Sequence, residues 1–383
     1  MSHAVVIGAG IGGLTSAVAL SQEGWTVTVL EQAAAIDPIG SGLAIAPNAL
    51  RALDTMGIGD EVRKLSAIQG EGGIRRPDGR WLSRSDTDAM MARYGDPVVL
   101  LLRATLVDLL AVRLPAGALH LNRRVESVDP AAGRVVTNEG TIEGDLIVAA
   151  DGIRSATRRT LFPGHPEPRY AGVTSWRVVG PGSDSPRASE TWGAGTVFGV
   201  MPLAGGQVYC YATATVPPGL RASSEKDELI RLFGDWHAPI PALLAAADPG
   251  AVLRHDIYSL DTPLPAFHRG RTALVGDAAH PMTPNLGQGA CQAIEDAVVL
   301  ARNAGAAVKA GTAVDLAAYS RARVARTTRI VRRSRAICRL TRWRRGPAVA
   351  VRDAMLLAIG ALGTNVAFRQ FDDVFNRPAS PDR

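Results

Sequence analysis

The residues best suited to chemistry lie in the run GDAAHPMTPNLGQGACQAIEDAVVLA, from Gly276 to Ala301. A short apolar stretch, 272–276, stops at Gly276-Asp277, crosses a loop broken by Pro281 and Pro284, and enters a helix-patterned segment from Gly287. Free backbone N–H groups and the positive dipole end at such a helix start suit a phosphate or an anionic ring, while the glycines let a flat ligand approach the backbone. Asp277, just past the strand end, is placed to accept hydrogen bonds from hydroxyls. Together these features suit a long cofactor with hydroxyls and a planar, electron-accepting end.

A second set opens the chain. Residues 4–31 run strand, GAGIGG, amphipathic helix, strand and acid, which is a dinucleotide fingerprint. Gly8 makes the tight turn, Gly10 admits a pyrophosphate, Gly12 completes the loop and Gly13 allows close helix packing. Glu31, followed by Gln32, closes the second strand where an adenosine ribose binds. The fingerprint by itself leaves NAD and FAD open. Arg103 begins a further helical pattern, and a cation at a helix start needs an anionic partner.

The remaining elements must position these groups. Gly42 sits in a Gly40-Ser-Gly42 loop before a short helix, and Arg76-Pro-Asp-Gly-Arg80 is the turn of a peripheral hairpin. Short alternating runs over 118–148, Val125 among them, form a small β meander leading to a strand that ends at Asp151-Gly152. From 163 to 267 the pattern is of alternating strands separated by Gly/Pro turns, a mostly antiparallel sheet. Residues 315–345 read as one long basic helix with a solvated face. The apolar helical pattern at 348–362 is broken by Arg352, Asp353 and glycines, and is shorter than the ~20 residues that span a bilayer. It is expected to cover the substrate sheet or form a contact surface, with attachment to a membrane surface the lesser reading.

The 276–301 run closely resembles the second FAD motif of the single-component (group A) flavoprotein monooxygenases, which include para-hydroxybenzoate, salicylate and urate hydroxylases. The resemblance extends from the first strand to about residue 310, weakening in the middle and at the end. It implies that Asp277 contacts the ribityl chain of FAD, and that Pro284, Gly287, Gln288, Gly289 and Ala290 flank the isoalloxazine. Arg103, in an Arg-x-x-Leu pattern, is implied to lie close to the FAD, Gly42 in a loop approaching the flavin, and Val125 at a backbone contact to adenine. Asp151 falls in a third motif, used by the family for both FAD and reduced nicotinamide.

The implied fold is α/β. A Rossmann-like FAD-binding domain on a parallel sheet comprises 1–162 and 268–310, with an inserted substrate-binding β-sheet domain at 163–267 and a C-terminal helical region at 311–383. The implied activity is hydroxylation of an aromatic or polyketide-like small molecule, using non-covalent FAD, O2 and either NADPH or NADH, through a C4a-hydroperoxyflavin. Candidates for the substrate face are Trp176, Arg177, Met201, Tyr209 and Tyr211, and the catalytic set is Pro284, Tyr209, Tyr211 and Arg177. Urate hydroxylases place an arginine on the strand matching 196–201, where this chain has none, which argues against urate and against any small anionic substrate held by that arginine.

Composition narrows the classes. A chain of 383 residues with 46% hydrophobic and 20% charged residues is an ordinary globular protein of two or three domains. Three separated cysteines, without a CxxC pair, fit packing roles, and the seven scattered histidines predict no metal site. The net charge of +6 concentrates in 321–345, without aromatic interleaving, so nucleic acid is not an expected partner. The apolar run begins at residue 4, leaving no room for a signal peptide, and the cytoplasm is the expected compartment. Hydrolase, ATPase and flavin-halogenase readings fail for want of G-x-S-x-G, a P-loop and Trp-x-Trp-x-Ile-Pro. Two rivals stay open: an epoxidase or dehydrogenase of the same fold, and a flavin-binding sensor without turnover. The oligomeric state is left open.

Overall fold

A computed structural model describes residues 2–36, 41–67, 70–182, 187–363, 368–369 and 371–376; Gly40 and the ends of the 364–383 segment lie outside them. The apolar runs His3–Ile7, Thr26–Leu30, Leu146–Ala149 and Thr272–Leu274 form the centre of a six-stranded sheet. Its pairings are parallel except for the edge strand His268–Arg269. Strands covered on both faces carry continuous apolar sequence, and here each face has its own cover. Ala4, Val6 and Val29 pack with the helices Ile11–Gln22 and Gly289–Ala310, while Val5, Ile7, Leu30 and Ile147 meet Val128 and Val135 of the three-stranded meander.

The second layer is a seven-stranded sheet, ordered Leu253–Ser259, Arg169–Pro181, Gln207–Ala214, Thr196–Pro202, Ser189–Trp192, Glu71–Arg75, Trp81–Asp86. It is antiparallel except where Ser189–Trp192 pairs in parallel with Glu71–Arg75. The 71–86 hairpin thereby joins the 169–259 strands, a long-range pairing that its local turn pattern does not reveal. Strand alternation divides the sheet. Trp176, Val178, Phe198, Val200, Cys210 and Ala212 face the helices Glu225–Phe233 and Ile240–Ala246 and form a second core. Residues of opposite parity, Tyr209, Tyr211 and Met201 among them, pack toward the short antiparallel strands Gly42–Ile45 and Val99–Leu102.

The helix Leu316–Thr341 departs from the expected solvated face at two positions: Arg323 and Arg326 are buried. Arg323 donates to Asp296 (2.6 Å) and Glu295 (2.6 Å), and Arg326 donates twice to Glu295 (2.7 Å each). The acids come from helix Gly289–Ala310, so buried ion pairs join the basic helix to the element that follows the Asp277 loop.

Candidate active site

The carboxyl ends of the parallel strands and the inner face of the seven-stranded sheet enclose a cavity of about 1070 Å³. This is where an open α/β sheet places its ligand. Gly8, Gly10, Gly12, Glu31, Gln32, Gly42, Arg103, Val125, Asp151, Asp277, Pro284, Gly287, Gln288, Gly289 and Ala290 all line it, together with Arg177, Met201, Tyr209 and Tyr211. Gly13 does not; it packs the start of the first helix against the Gly8 carbonyl.

Gly8 turns the chain with a φ of +97°, and a Cβ there would lie 2.6 Å from the Ala150 carbonyl oxygen, so only glycine fits. The helix that follows has Gly10 at its N-cap and no side-chain cap, which leaves first-turn N–H groups free for a pyrophosphate. Arg103 reaches over the same turn: its Nη2 lies 3.7 Å from the position a Cβ on Gly10 would take. Its own backbone N–H donates to the Ser41 carbonyl (2.8 Å), which fastens it beside Gly42, not a loop residue as expected but the first of strand Gly42–Ile45, paired with Leu102. Glu31 is held by the N–H groups of Ala9 (2.8 Å) and Ala33 (2.9 Å), with Gln32 beside it on the cavity wall.

Asp277 opens to the cavity while protein surrounds it, and burial raises its pKa against the opposing influence of His280, Arg103, Arg158 and Arg177. Its place is fixed from below. Asp296 accepts from the Gly276 N–H (2.9 Å), from Arg323 (2.6 Å), and lies 2.6 Å from His280 Nε2, so a buried network anchors the residue just before Asp277. For Glu295, burial pushes the carboxyl up, but Arg323, Arg326 and Asn48 outweigh it and bring it down to about 2. Sequence reasoning missed this network because its bonded partners lie 16 to 31 residues apart, and Asn48 247 from Glu295, with nothing in their local patterns to link them.

The cavity fits FAD on its own chemistry. Two of its lining residues carry buried polar atoms without a protein partner, Asp151 Oδ1 and Gln288 Nε2, an acceptor and a donor for a bound ligand to satisfy. Nothing lies within 4 Å of a Cβ built on Gly289, at the start of a 22-residue helix. That helix start offers free N–H groups and a positive dipole end to an electron-accepting ring.

On the opposite wall, Ser175, Arg177, Val197, Met201, Tyr209, Tyr211 and Thr213 share the inner parity of their strands. Trp176, an expected substrate-facing residue, does not reach the cavity: strand alternation turns it to the outer core, where its Nε1 donates to Glu225 (2.7 Å). Register places Arg177, Tyr211, Gly199 and Glu190 in one row across four strands. Gly199 has no side chain to obstruct its neighbours, and a Cβ there would lie 2.2 Å from Tyr211 Cζ. The Tyr211 ring therefore lies across Gly199 and its hydroxyl donates to Glu190 Oε1, while Glu190 Oε2 accepts from Trp192 Nε1 (2.9 Å). Burial, followed by the Glu190 charge, pushes the Tyr211 phenol well above its usual range, so it stays protonated through neutral pH. Tyr209 packs its ring on Gly42 and lies 5.8 Å from the Tyr211 ring. Glu190 and Gly199 were not singled out from sequence; the one available signal was an acid inside a short strand.

The family model for an FAD binding domain matches residues 1–334. The chain is 39% identical over 360 residues to aurachin C monooxygenase/isomerase of Stigmatella aurantiaca, covering 92% of this chain and 93% of that one. It is 31% identical over 381 residues to 3-hydroxybenzoate 6-hydroxylase 1 of Aquipseudomonas alcaligenes, covering 93% of each. Among solved structures, Klebsiella pneumoniae HpxO complexed with FAD and uric acid superposes with a TM-score of 0.90 at 28% identity, covering 99% of this chain and 98% of that one. The cavity, its dinucleotide turn and these likenesses define a flavoprotein oxidoreductase. The chain belongs to the FAD-binding family of monooxygenases and hydroxylases and is an FAD-dependent monooxygenase.

Proposed function

We propose that this protein hydroxylates an oxygen-bearing aromatic or polyketide-like small molecule, with NADPH or NADH as the reductant and O2 as the second substrate. Bound FAD supplies the redox and oxygen-activating chemistry; the chain supplies binding, orientation and exclusion of water. Gly8 to Gly12, Glu31, Gln32, Arg103, Val125 and Asp151 would hold the dinucleotide. Asp277 would accept from its hydroxyls, and Pro284 with Gly287 to Ala290 would flank its ring.

The observation that carries the substrate assignment is the Arg177–Tyr211–Gly199–Glu190 row on the wall across from that loop. Arg177 offers a cation to a substrate oxygen, and at the other end of the row the Tyr211 hydroxyl, its proton directed to Glu190, presents oxygen lone pairs as the acceptor of a hydrogen-bonded pair. A phenolic or enolic ring held between them meets a group able to take up its proton, which raises the electron density of the ring carbon to be oxygenated. Met201, Val197 and Tyr209 supply an apolar surround that keeps water out. Relatives named for hydroxybenzoates support an oxygenated ring as substrate class. The absence of arginine from Thr196–Pro202 keeps urate out of the proposal.

The test is a panel of hydroxylated aromatics, heteroaromatics and cyclic enols, read as substrate-stimulated oxidation of NADPH and NADH. Stimulation by oxygenated rings that is lost on Arg177→Met supports the reading. Stimulation by none of them, or by saturated compounds alone, overturns it.

A further inference from the structure

Helix Gly346–Ala361 turns its charges inward and its apolar side outward. Arg352 is fully buried; it donates to the Gly193 carbonyl (2.8 Å) and to Asp353 (2.8 Å), and its guanidinium lies 5.7 Å from the Trp192 ring centroid. Asp353 in turn lies 3.4 Å from Arg76 Nε. Gly360 sits against strand Trp81–Asp86, where a Cβ would be 3.2 Å from the Leu82 carbonyl oxygen. What this docking leaves to solvent is apolar: Val351 is 56% exposed, Met355 50%, Leu357 47% and Leu362 66%. A monomeric soluble protein seldom leaves such a run uncovered.

The surroundings say what covers it. Trp343, Arg339, Arg344 and Arg345 are exposed just ahead of the helix, and between 316 and 371 the only acidic residue is the buried Asp353. The exposed charge that this stretch of chain itself brings to the apolar face is thus entirely positive. We propose that this face docks on an anionic lipid bilayer. The helix, at 1.5 Å per residue about 24 Å long, falls short of the ~30 Å hydrocarbon core, and among the described residues no helix is long and apolar enough to cross a membrane. It therefore lies in the interface, apolar side down, with Trp343 at headgroup level and the arginines on anionic headgroups. A second copy of the chain would bring the same cationic cluster toward itself, which charge complementarity disfavours. Through Arg352 the docking helix is bonded to the end of strand Ser189–Trp192, the strand that carries Glu190 of the cavity wall.

The experiment is co-sedimentation of the full-length, FAD-loaded protein with phosphatidylcholine vesicles, with and without phosphatidylglycerol. The protein is expected to pellet with the phosphatidylglycerol vesicles and to be released as salt is raised. Met355→Glu/Leu357→Glu and Arg344→Glu/Arg345→Glu should each weaken binding on the order of tenfold or more, with FAD occupancy unchanged, while Met355→Leu retains it. The proposal is overturned by failure to bind anionic vesicles, or by a Met355→Glu/Leu357→Glu variant that binds like the wild type. It is equally overturned by a concentration-dependent dimer in analytical ultracentrifugation that Met355→Glu dissociates, since a second copy would then cover the face.

Discussion

Asp277→Asn should move two measurements in opposite directions. The carboxyl stands just past strand Thr272–Leu274 on the cavity wall, open to the cavity, and desolvation by the protein packed around that wall raises its pKa despite His280, Arg103, Arg158 and Arg177. Before cofactor binds, the ionised form therefore costs stability. For an acid whose folded-state pKa is raised, the contribution to stability is full below the ordinary value of 3.8 and is lost as pH rises through the folded value. Asparagine, almost the same shape and never charged, escapes that loss. The apoprotein Tm of the variant should exceed that of the wild type at pH 7, and the gap should close below about pH 3.8. FAD affinity should fall, because an acceptor for cofactor hydroxyls has been exchanged for a group that is half donor. A buried donor left unpaired costs about 1–3 kcal/mol, which corresponds to a Kd roughly five- to 150-fold higher at 25 °C. Flavin-stripped protein, differential scanning calorimetry over pH, and fluorescence titration with FAD give both quantities. A Kd within twofold of wild type, or an apoprotein Tm that falls at pH 7, would remove Asp277 from this role.

Gly199→Ala and Tyr211→Phe should give the same phenotype by different routes: the first pushes the Tyr211 ring off Glu190, the second removes the hydroxyl. In both, nicotinamide oxidation should continue while a larger share of oxygen ends as peroxide; Tyr209→Phe should do so more weakly, and unchanged coupling in all three would place the substrate elsewhere. Arg177→Met should raise the substrate KM more than it lowers kcat, with FAD affinity unmoved, as steady-state kinetics and flavin titration will show. Arg326→Met leaves Glu295 short of a buried partner and should cost about 3–5 kcal/mol in denaturant unfolding at pH 7. Since the Glu295 pKa is depressed to about 2, that advantage exists above its ordinary 4.5 and should fade as pH falls from there toward about 2. An undiminished difference at pH 3 would contradict the assignment.

The turn glycines, Glu31 and the Asp277 loop were legible in the sequence because close backbone approach to a cofactor dictates residue types at fixed spacings, and those spacings survive without any knowledge of the fold. The strands of the second sheet were legible as alternating runs, but alternation gives two faces without saying which is inside. Trp176 and Arg177 were therefore both candidates, and only the sheet's packing against helices Glu225–Phe233 and Ile240–Ala246 sends Trp176 outward. Glu190 and Gly199 owe their roles to register, since they become neighbours of Tyr211 only when three strands align. Arg323 and Arg326 resemble every other arginine in their helix; what distinguishes them is Glu295 and Asp296 on a helix folded against theirs. The same limit applies to Arg352 and Asp353, whose charges break an apolar pattern in the sequence but leave an exposed apolar face by pointing inward.

If the cavity works as proposed, it places one atom of dioxygen on an oxygen-bearing ring. The direct measurement is the mass of the product formed from the best substrate of the panel under ¹⁸O₂, with NADPH or NADH as sole reductant. The expected product carries one labelled oxygen, forms in proportion to nicotinamide consumed and is reduced in yield by Tyr211→Phe. A product with no added oxygen, or with oxygen drawn only from water, would contradict it.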